Sequence, residues 1–472
     1  MNAPEGHSGL RSSAEQLLDD VDTLLGLSGG RVIADFRTAL RRPAVIAVTG
    51  RVNTGKSTLV NSLISAKLAP TSTQETTALL CRYVYGSPAR AEAVLDTGNV
   101  VPVPLTGSGP VLEDIPPETI DYLQVHVQAA VLRPATIVDT PGLGSAATDN
   151  SRRTEARMLG GTDPDSPDAL LYLVRDSFRP DDEEFIARFK ARPGAGPGRS
   201  TVVGLVAHAD NFGGGPWHGA EPVDQAQTAA AELSGRMPQL TAVLPVSALL
   251  AETVQTGALR EQDVRNLRLL QGADDLRLQF ADQLGAPPEV SGEDFLRLTG
   301  LIGPYGIRYG REQCGSAGQL TRWLHERSGL AALERTLQSA VIGPTESARV
   351  DGMLTGLLAA ARSRSWPADA RRLIEAARHA PAFHRLHEEA ALDLLKADAP
   401  GHEMVAVLQG LTRDDPELDG VLPDISGSSG YLGLAAHYQS MVSTASTGAE
   451  ARAARVIARS LLIRSGTAGS RP

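Results

Sequence analysis

The sequence predicts an α/β head, with a mostly parallel sheet and helices on both faces, joined to an all-helical body built from both ends of the chain. Three observations carry that expectation. From residue 44 to about 250, short apolar runs alternate with helix-length segments, the pattern of parallel strands joined by crossover helices. After about Leu249 the strand signal stops, and apolar residues recur at helical spacing almost to the end. Two amphipathic stripes precede the first strand, which alone offers them no surface to bury against. The expected divisions are 1–42, N-terminal helices packed with the C-terminal bundle; 43–255, the α/β head; and 256–472, the bundle.

Residues 1–9 are expected to lack structure. Leu17, Leu18, Val21, Leu24 and Leu25 form one helical stripe opposite Asp19, Asp20 and Asp22, and Gly29-Gly30 breaks it. Val32, Ile33, Phe36 and Leu40 form the second, closed by Pro43. Ala44–Val48 reads as a buried strand leading into the turn GRVNTGKST. Polar Thr71–Thr77 leads to a strand over Ala78–Tyr85, and residues 86–120 read as a hairpin excursion. Leu123–Val127 and Ala135–Val138 read as a pair of strands. A loop (Thr140–Asn150) and a short helix (Ser151–Leu159) follow. Then come a strand at Ala169–Val174, a helix at Asp181–Lys190 capped by Asp181, a turn at Pro193–Arg199, and a strand at Thr201–Ala207. A helix at Pro222–Arg236 and a strand at Ala242–Val246 complete the head. Helical periodicity then covers Val264–Leu284, Gly292–Leu301, Ala348–Ala361 and Ala449–Ile463 among other segments, with a break at Pro423–Gly430.

Composition narrows the chemistry. The chain has 472 residues and a formal charge of −10, which argues against a general nucleic-acid binder. Two distant cysteines, Cys81 and Cys314, make neither a disulfide framework nor a metal cluster and suit a reducing cytosol. The start lacks a basic region followed by an apolar core, so no signal peptide is expected, and no apolar run is long enough to span a bilayer. Any membrane contact is therefore expected to be peripheral.

Gly50, Gly55, Lys56 and Ser57 fit G-x-x-x-x-G-K-[ST], between an apolar strand and a helical pattern carried by Leu59, Val60, Leu63 and Ile64. The glycines let successive amides curl around phosphate oxygens, and the helix start adds its own amides and dipole. Lys56 is placed for the β- and γ-phosphates and Ser57 for Mg²⁺. Asp139-Thr-Pro-Gly142 ends a strand some 80 residues later by the same numbering. That aspartate can hold Mg²⁺ through water, and the Gly142 amide can meet a γ-phosphate, making the following loop a switch. Thr77, with Thr76 as rival, stands where a hydroxyl could complete the Mg²⁺ shell. Asp210, past the strand Thr201–Ala207, offers the acceptor pair that guanine N1–H and N2–H₂ require and that adenine lacks the donors to meet. Ser247-Ala248, past the next strand, offers a backbone amide for guanine O6.

With these residues the chain resembles the dynamin superfamily, within the translation-factor-like branch of small GTPases. The likeness rests on GRVNTGKSTLVNSLI, ETTALLCRYVYG, DTPGLG, VVGLVAHAD with NFGGG, and VLPVSALL, and on GPYGIRYG and LTRWLHERSGLAALERTL further on. It is similar in particular to bacterial dynamin-like proteins of the actinobacterial, isoniazid-inducible type. The resemblance implies a mechanochemical GTPase with GTP and Mg²⁺ as ligands, GTP-dependent pairing of heads and coupling to a membrane. It implies that Gly50, Val52, Asn53, Thr54, Gly55, Lys56, Ser57 and Thr58 line the nucleotide, with Ser57, Thr77 and Asp139 around the metal. Asn53, Lys56, Thr77 and Gly142 then serve the chemical step, and His208, Asp210, Ser247 and Ala248 the base. Two departures stand out. Ala207-His208 replaces the usual Asn/Thr-Lys, and Val52 stands where eukaryotic dynamins carry a glutamine that positions water, which leaves Asn53 for that role and implies slow turnover.

The resemblance implies partners as well: anionic lipid at the inner face of the cytoplasmic membrane, a second head, or a second dynamin-like subunit. The lipid candidates are the glycine-rich apolar loop Leu298–Tyr309, which reads equally as a buried loop of the body, and the basic helix carrying Arg452, Arg455, Arg459 and Arg464, which reads first as a bundle helix with a solvated arginine face. An Era-like regulatory switch without membrane remodelling, and a catalytically weak helical partner subunit, are the alternatives.

Overall fold

The computed structural model describes residues 5–26, 29–70, 79–112, 115–142, 156, 158–160, 166–192, 200–413, 422 and 430–468. The chain divides into two compact units, Pro43–Ile342 and Met1–Arg42 with Gly343–Pro472.

The first unit is built on a sheet whose buried centre is β1 (Ala44–Gly50). Around it run β2 (Cys81–Tyr85), β3 (Arg90–Leu95), β4 (Val100–Val103), β7 (Ile120–Val127), β8 (Ala135–Asp139), β9 (Ala169–Val174), β10 (Thr201–Ala207) and β11 (Ala242–Val246), while β5 (Leu105–Thr106) and β6 (Gly109–Pro110) form a separate ribbon. The order is β11-β10-β9-β1-β8-β2-β7-β3-β4. β1 pairs in parallel with β8 and β9, and β10 in parallel with β9 and β11. Alternation along β1 sends Ile46 and Val48 to one face and Val45 and Ala47 to the other. Helix α3 (Lys56–Ile64) covers the first face through Leu59, Val60, Leu63 and Ile64. Helices α4 (Pro180–Ala191) and α5 (Pro222–Arg236) cover the second through Phe185, Ile186, Phe189, Ala226 and Ala230. A mostly parallel sheet covered on both faces is therefore what forms, with an antiparallel excursion at one edge, where β3 pairs with β4 and β7.

Several expectations need correction. β7 and β8 are not partners: β2 lies between them, parallel to β7 and antiparallel to β8. The 3₁₀ turn Ala130–Leu132 carries the chain past β2, a detour that strand propensity cannot register. Helix α4 is closed by Asp182, not Asp181, since the Asp182 carboxylate accepts from the Arg179 amide at 2.8 Å. Residues from Glu5 onward are helical in α1 (Glu5–Leu25). Val264–Leu284 is not one helix but Glu261–Leu269, Asp275–Gln279 and Ala281–Leu284. Thr71–Thr77 and Pro193–Arg199, and most of 143–159 and Pro423–Gly430, lie outside the described residues.

The sequence reading drew the edge of the head at 255, whereas the compact unit runs on to Ile342. Within it, Leu250 of α6 (Ala248–Gln255) shares a core with Val264, Leu267, Phe295, Ile302, Tyr305, Leu320 and Leu324. Leu298–Tyr309 is not an exposed loop but part of a kinked helix, Gly292–Gly310, with Leu298, Ile302, Tyr305 and Ile307 buried. Leu298, Leu301, Ile302, Tyr305 and Ile307 thus face a protein core, although Leu296, earlier in the same helix, is exposed.

In the second unit, Leu18 and Val21 of α1 and Ile33 of α2 (Gly30–Arg41) pack with Leu354, Leu357 and Ile374 from helices Gly343–Ser363 and Ala368–Ala377. A second core joins His384–Asp398, Glu403–Arg413, Tyr431–Met441 and Gly448–Ala468. In the last of these, Ala453, Ile457 and Leu461 are buried while Arg452, Arg455 and Arg459 face solvent.

A buried amide ties α3 to α6. Asn61 Oδ1 accepts from the amides of Leu68 (2.9 Å) and Ala69 (2.7 Å), and its Nδ2 donates to Ala69 O (3.2 Å) and Glu252 Oε1 (2.8 Å). Every polar atom of the side chain is thereby used. Asn61→Ala strands the buried Ala69 amide and loosens a buried carboxylate, and denaturant unfolding of the head should show a loss of about 1–3 kcal/mol.

Candidate nucleotide-binding site

At the end of β1 the chain must turn against β9. Gly50 has φ +141°, and a Cβ there would lie 2.5 Å from Leu173 O. Two further left-handed residues, Asn53 (φ 60°) and Gly55 (φ 85°), curl the loop until α3 starts at Lys56. The first amides of α3 have no helical partner and point back into this curl, an arrangement suited to an anion.

The loop is held from inside. Lys56 Nζ donates to Arg51 O at 2.9 Å, and Thr54 Oγ1 donates to the same carbonyl at 2.8 Å. Burial pushes the Lys56 ammonium below its ordinary pKa, and the Asp139 carboxylate opposes that shift. Ser57, on the first turn of α3, donates through Oγ to Asp139 Oδ2 at 2.8 Å. Thr58 follows on the same turn.

Asp139 ends β8, opposite Val48 of β1 and Cys81 of β2. Its Oδ1 is buried and makes no hydrogen bond to a described residue. Burial raises its pKa to about 6, against the opposing pull of the Ser57 hydroxyl, the Lys56 ammonium and the Thr140 backbone amide. A buried carboxylate oxygen without a donor, beside a serine hydroxyl at a phosphate-type loop, is a donor set that fits a hard divalent cation. No cluster of three or more His, Cys, Asp or Glu suited to a metal occurs among the described residues, so such a cation would draw its other ligands from water and phosphate.

Two residues hold the end of β8 that sequence reasoning passed over or left without a partner. Thr140 donates through Oγ1 to Val48 O at 2.9 Å. Gly142 lies against the loop itself: a Cβ there would stand 2.6 Å from Val52 Cγ2 and 3.0 Å from Val52 N. The Val52 side chain is otherwise exposed. Arg51, which carried no role in the sequence reading, reaches Asp182 at 3.4 Å. Thr76 and Thr77 lie outside the described residues, as does the stretch after Gly142 that would form the switch.

The base-side candidates converge on Gly55. A Cβ on Gly55 would lie 3.7 Å from Ala248 Cβ and 3.9 Å from the His208 ring. His208 is left-handed (φ 53°), and its Nε2 is 3.2 Å from Asn53 O. Asp210 follows in the turn Ala209–Gly214, where it and Ala209 are the buried residues. Ser247 caps α6, its Oγ accepting from Leu250 N at 3.3 Å, while its own amide donates to Ser328 O at 3.0 Å. That leaves Ala248, at the N-terminus of α6, as the residue of the pair placed to offer an amide.

The dynamin family model matches residues 46–102. Isoniazid-induced protein IniC of Mycobacterium tuberculosis, in strains CDC 1551 / Oshkosh and ATCC 25618 / H37Rv, is 32% identical over 283 residues, covering 57% of this chain and 56% of IniC. The chain thus matches little more than half the length of those relatives. Among solved structures, a member of an oligomerised bacterial dynamin pair, described as a mechanism for long-range sensing and tethering of membranes, aligns with 14% identity and a TM-score of 0.35. That alignment covers 100% of this chain and 77% of the other. Era of Aquifex aeolicus bound to GDP·AlF4⁻ aligns with 17% identity and a TM-score of 0.25, over 49% of this chain and 69% of Era. With Gly50–Ser57 inside the matched segment and with its identity to IniC, the chain resembles the dynamin family, and the IniC proteins in particular.

Proposed function

We propose that this chain is a Mg²⁺-dependent GTPase that hydrolyses GTP slowly and couples nucleotide-dependent pairing of its heads to a membrane surface. The observation that carries the reading is the Ser57–Asp139 pair, with its unpartnered carboxylate oxygen, at the amide-rich start of α3. In this reading the amides from Gly50 to Ser57 receive phosphate oxygens, and Lys56 exchanges Arg51 O for the β- and γ-phosphates. Ser57, Asp139 and Thr77 hold the metal, which when bound neutralises phosphate charge. Asp210 takes the guanine donors, the Ala248 amide meets O6, and the His208 ring lies along the base. Gly142 supplies an amide to the γ-phosphate. Valine at 52 has no group to orient water, so that task passes to Asn53, and turnover is slow. The exposed Val52 also favours one alternative, a catalytically weak subunit that serves a second dynamin-like protein. An Era-like switch without membrane contact is the other alternative.

No helix among the described residues is long and apolar enough to cross a membrane. Contact with anionic lipid at the cytoplasmic face is therefore proposed as peripheral. The apolar side of Gly448–Ala468 is taken up in its own bundle, so the proposed contact is electrostatic, through Arg452, Arg455 and Arg459.

Calorimetry should find GTP and GDP binding with Mg²⁺, with GTP turnover on the order of 10⁻³–10⁻² s⁻¹. Lys56→Ala should weaken triphosphate binding at least about tenfold and abolish turnover. No heat with any guanine nucleotide defeats the proposal.

The Asp139 carboxyl supplies a pH signature. Its folded pKa, about 6, lies above the ordinary 3.8, so ionising it opposes folding. That penalty is absent at pH below the ordinary value and fully present above about 6. A bound cation offsets it, whereas below about pH 6 protons compete with the cation. Mg²⁺-dependent nucleotide affinity should fall toward tenfold per pH unit below about 6. Asp139→Asn should flatten that dependence and raise the unfolding midpoint of the nucleotide-free protein at neutral pH.

Co-sedimentation with anionic vesicles should be lost in high salt and in an Arg452→Glu, Arg455→Glu, Arg459→Glu variant. Equal binding to neutral vesicles would remove the electrostatic account.

A further inference from the structure

Helix Gly292–Gly310 is broken at Gly303, whose φ of 63° and ψ of 179° belong to a region open almost only to glycine. The break is buried and lies directly behind Asp210. A Cβ on Gly303 would sit 3.8 Å from Asp210 Oδ2 and 3.3 Å from Leu249 Cδ2.

Both sides of the break are anchored, each to a different base-side loop. On the upstream side, Leu301 O accepts a 2.5 Å hydrogen bond from Thr253 Oγ1. Thr253 belongs to α6, the helix that Ser247 caps and Ala248 opens. On the downstream side, the Tyr305 hydroxyl donates to Glu221. Glu221 ends the segment that begins at His208 and Asp210, and it is also paired with Arg327 at 3.4 Å. The Tyr305 ring stacks on Trp323, with centroids 5.7 Å apart and planes 6° from parallel. Desolvation and the Glu221 carboxylate push the Tyr305 phenol well above its ordinary pKa, so it stays a donor.

From this arrangement we infer that Gly303, Thr253 and Tyr305 are positioning residues for guanine selection, fixing the Asp210 carboxylate relative to the α6 N-terminus. The inference rests on the GTP reading of the site. A carboxylate discriminates guanine only if both oxygens are aimed at N1–H and N2–H₂, and a small rotation loses one of the two bonds. Asp210 stands on a short irregular turn with non-helical residues at Asn211, Phe212 and Gly213. Such a turn gives little rigidity of its own, whereas the riveted kink behind it does. The kink senses the base and not the γ-phosphate, so GDP and GTP act on it alike.

The test compares affinities for GTP, ITP and ATP, with Mg²⁺, in the wild-type chain and in Thr253→Val, Thr253→Ser, Tyr305→Phe and Gly303→Ala. ITP lacks only the 2-amino group, so the GTP/ITP ratio reads the aim of Asp210. Thr253→Val and Tyr305→Phe should keep the wild-type circular dichroism and drop the GTP/ITP ratio about tenfold, with ATP affinity unchanged. Thr253→Ser should restore the ratio. Tryptophan emission, with Trp323→Phe as control, should shift equally on adding GTP or GDP. A folded Thr253→Val protein with the wild-type GTP/ITP ratio overturns the inference and leaves the GTPase reading standing. A wild-type chain that binds ATP as well as GTP defeats both. If Gly303→Ala does not fold, the two hydrogen-bond variants decide the matter.

Discussion

A carboxylate at the inner end of a parallel sheet is the group around which the head is arranged. Asp139 is carried to its place by β8, which lies between β1 and β2, and it is desolvated there with its Oδ2 bonded to Ser57 and its Oδ1 buried. Desolvation of an acid opposes its ionisation, and Ser57 and Lys56 only partly compensate. In the proposed function a bound cation would offset that penalty. That coupling needs the loop from Gly50 to Lys56 and the strand end at Asp139 to be held in register, which the β1–β8 ladder and the Thr140–Val48 bond accomplish.

Residues 256–342 share the head's compact unit, not the bundle's. Their core is continuous with α6 through Leu250, and their kinked helix stands behind the turn that bears Asp210. The base-side loops are therefore not free edges of a sheet. They are surfaces against which another layer of helices is packed, and packed layers shift between discrete arrangements more readily than they deform.

Sequence likeness and geometry bear on different questions. The family match covers the phosphate loop and the strands just after it, and the IniC alignment covers just over half of each chain. Geometry adds that Val52 and Gly142 are in van der Waals proximity and that Ser247 has already committed its amide to Ser328. Neither fact can be read from a motif, because each depends on a contact between loops far apart in the chain.

The sequence by itself determined the local events. It placed β1, β9, β10 and β11 within a residue or two, because buried parallel strands are short, uninterrupted apolar runs bounded by turn residues. It marked the turn from Gly50 to Ser57 as a candidate phosphate loop, since two glycines, a lysine and a serine at fixed spacing have one common mechanical use. Tertiary structure decided what is non-local. Strand pairing put β2 between β7 and β8; helical periodicity marked residues 256–342 as helical without saying which core they join. Leu298–Tyr309 reads as a glycine-rich loop, yet packing against α6 and the Asp210 turn makes it part of a helix kinked at Gly303. Periodicity reports which face of an element is apolar, and only the rest of the fold supplies what that face meets.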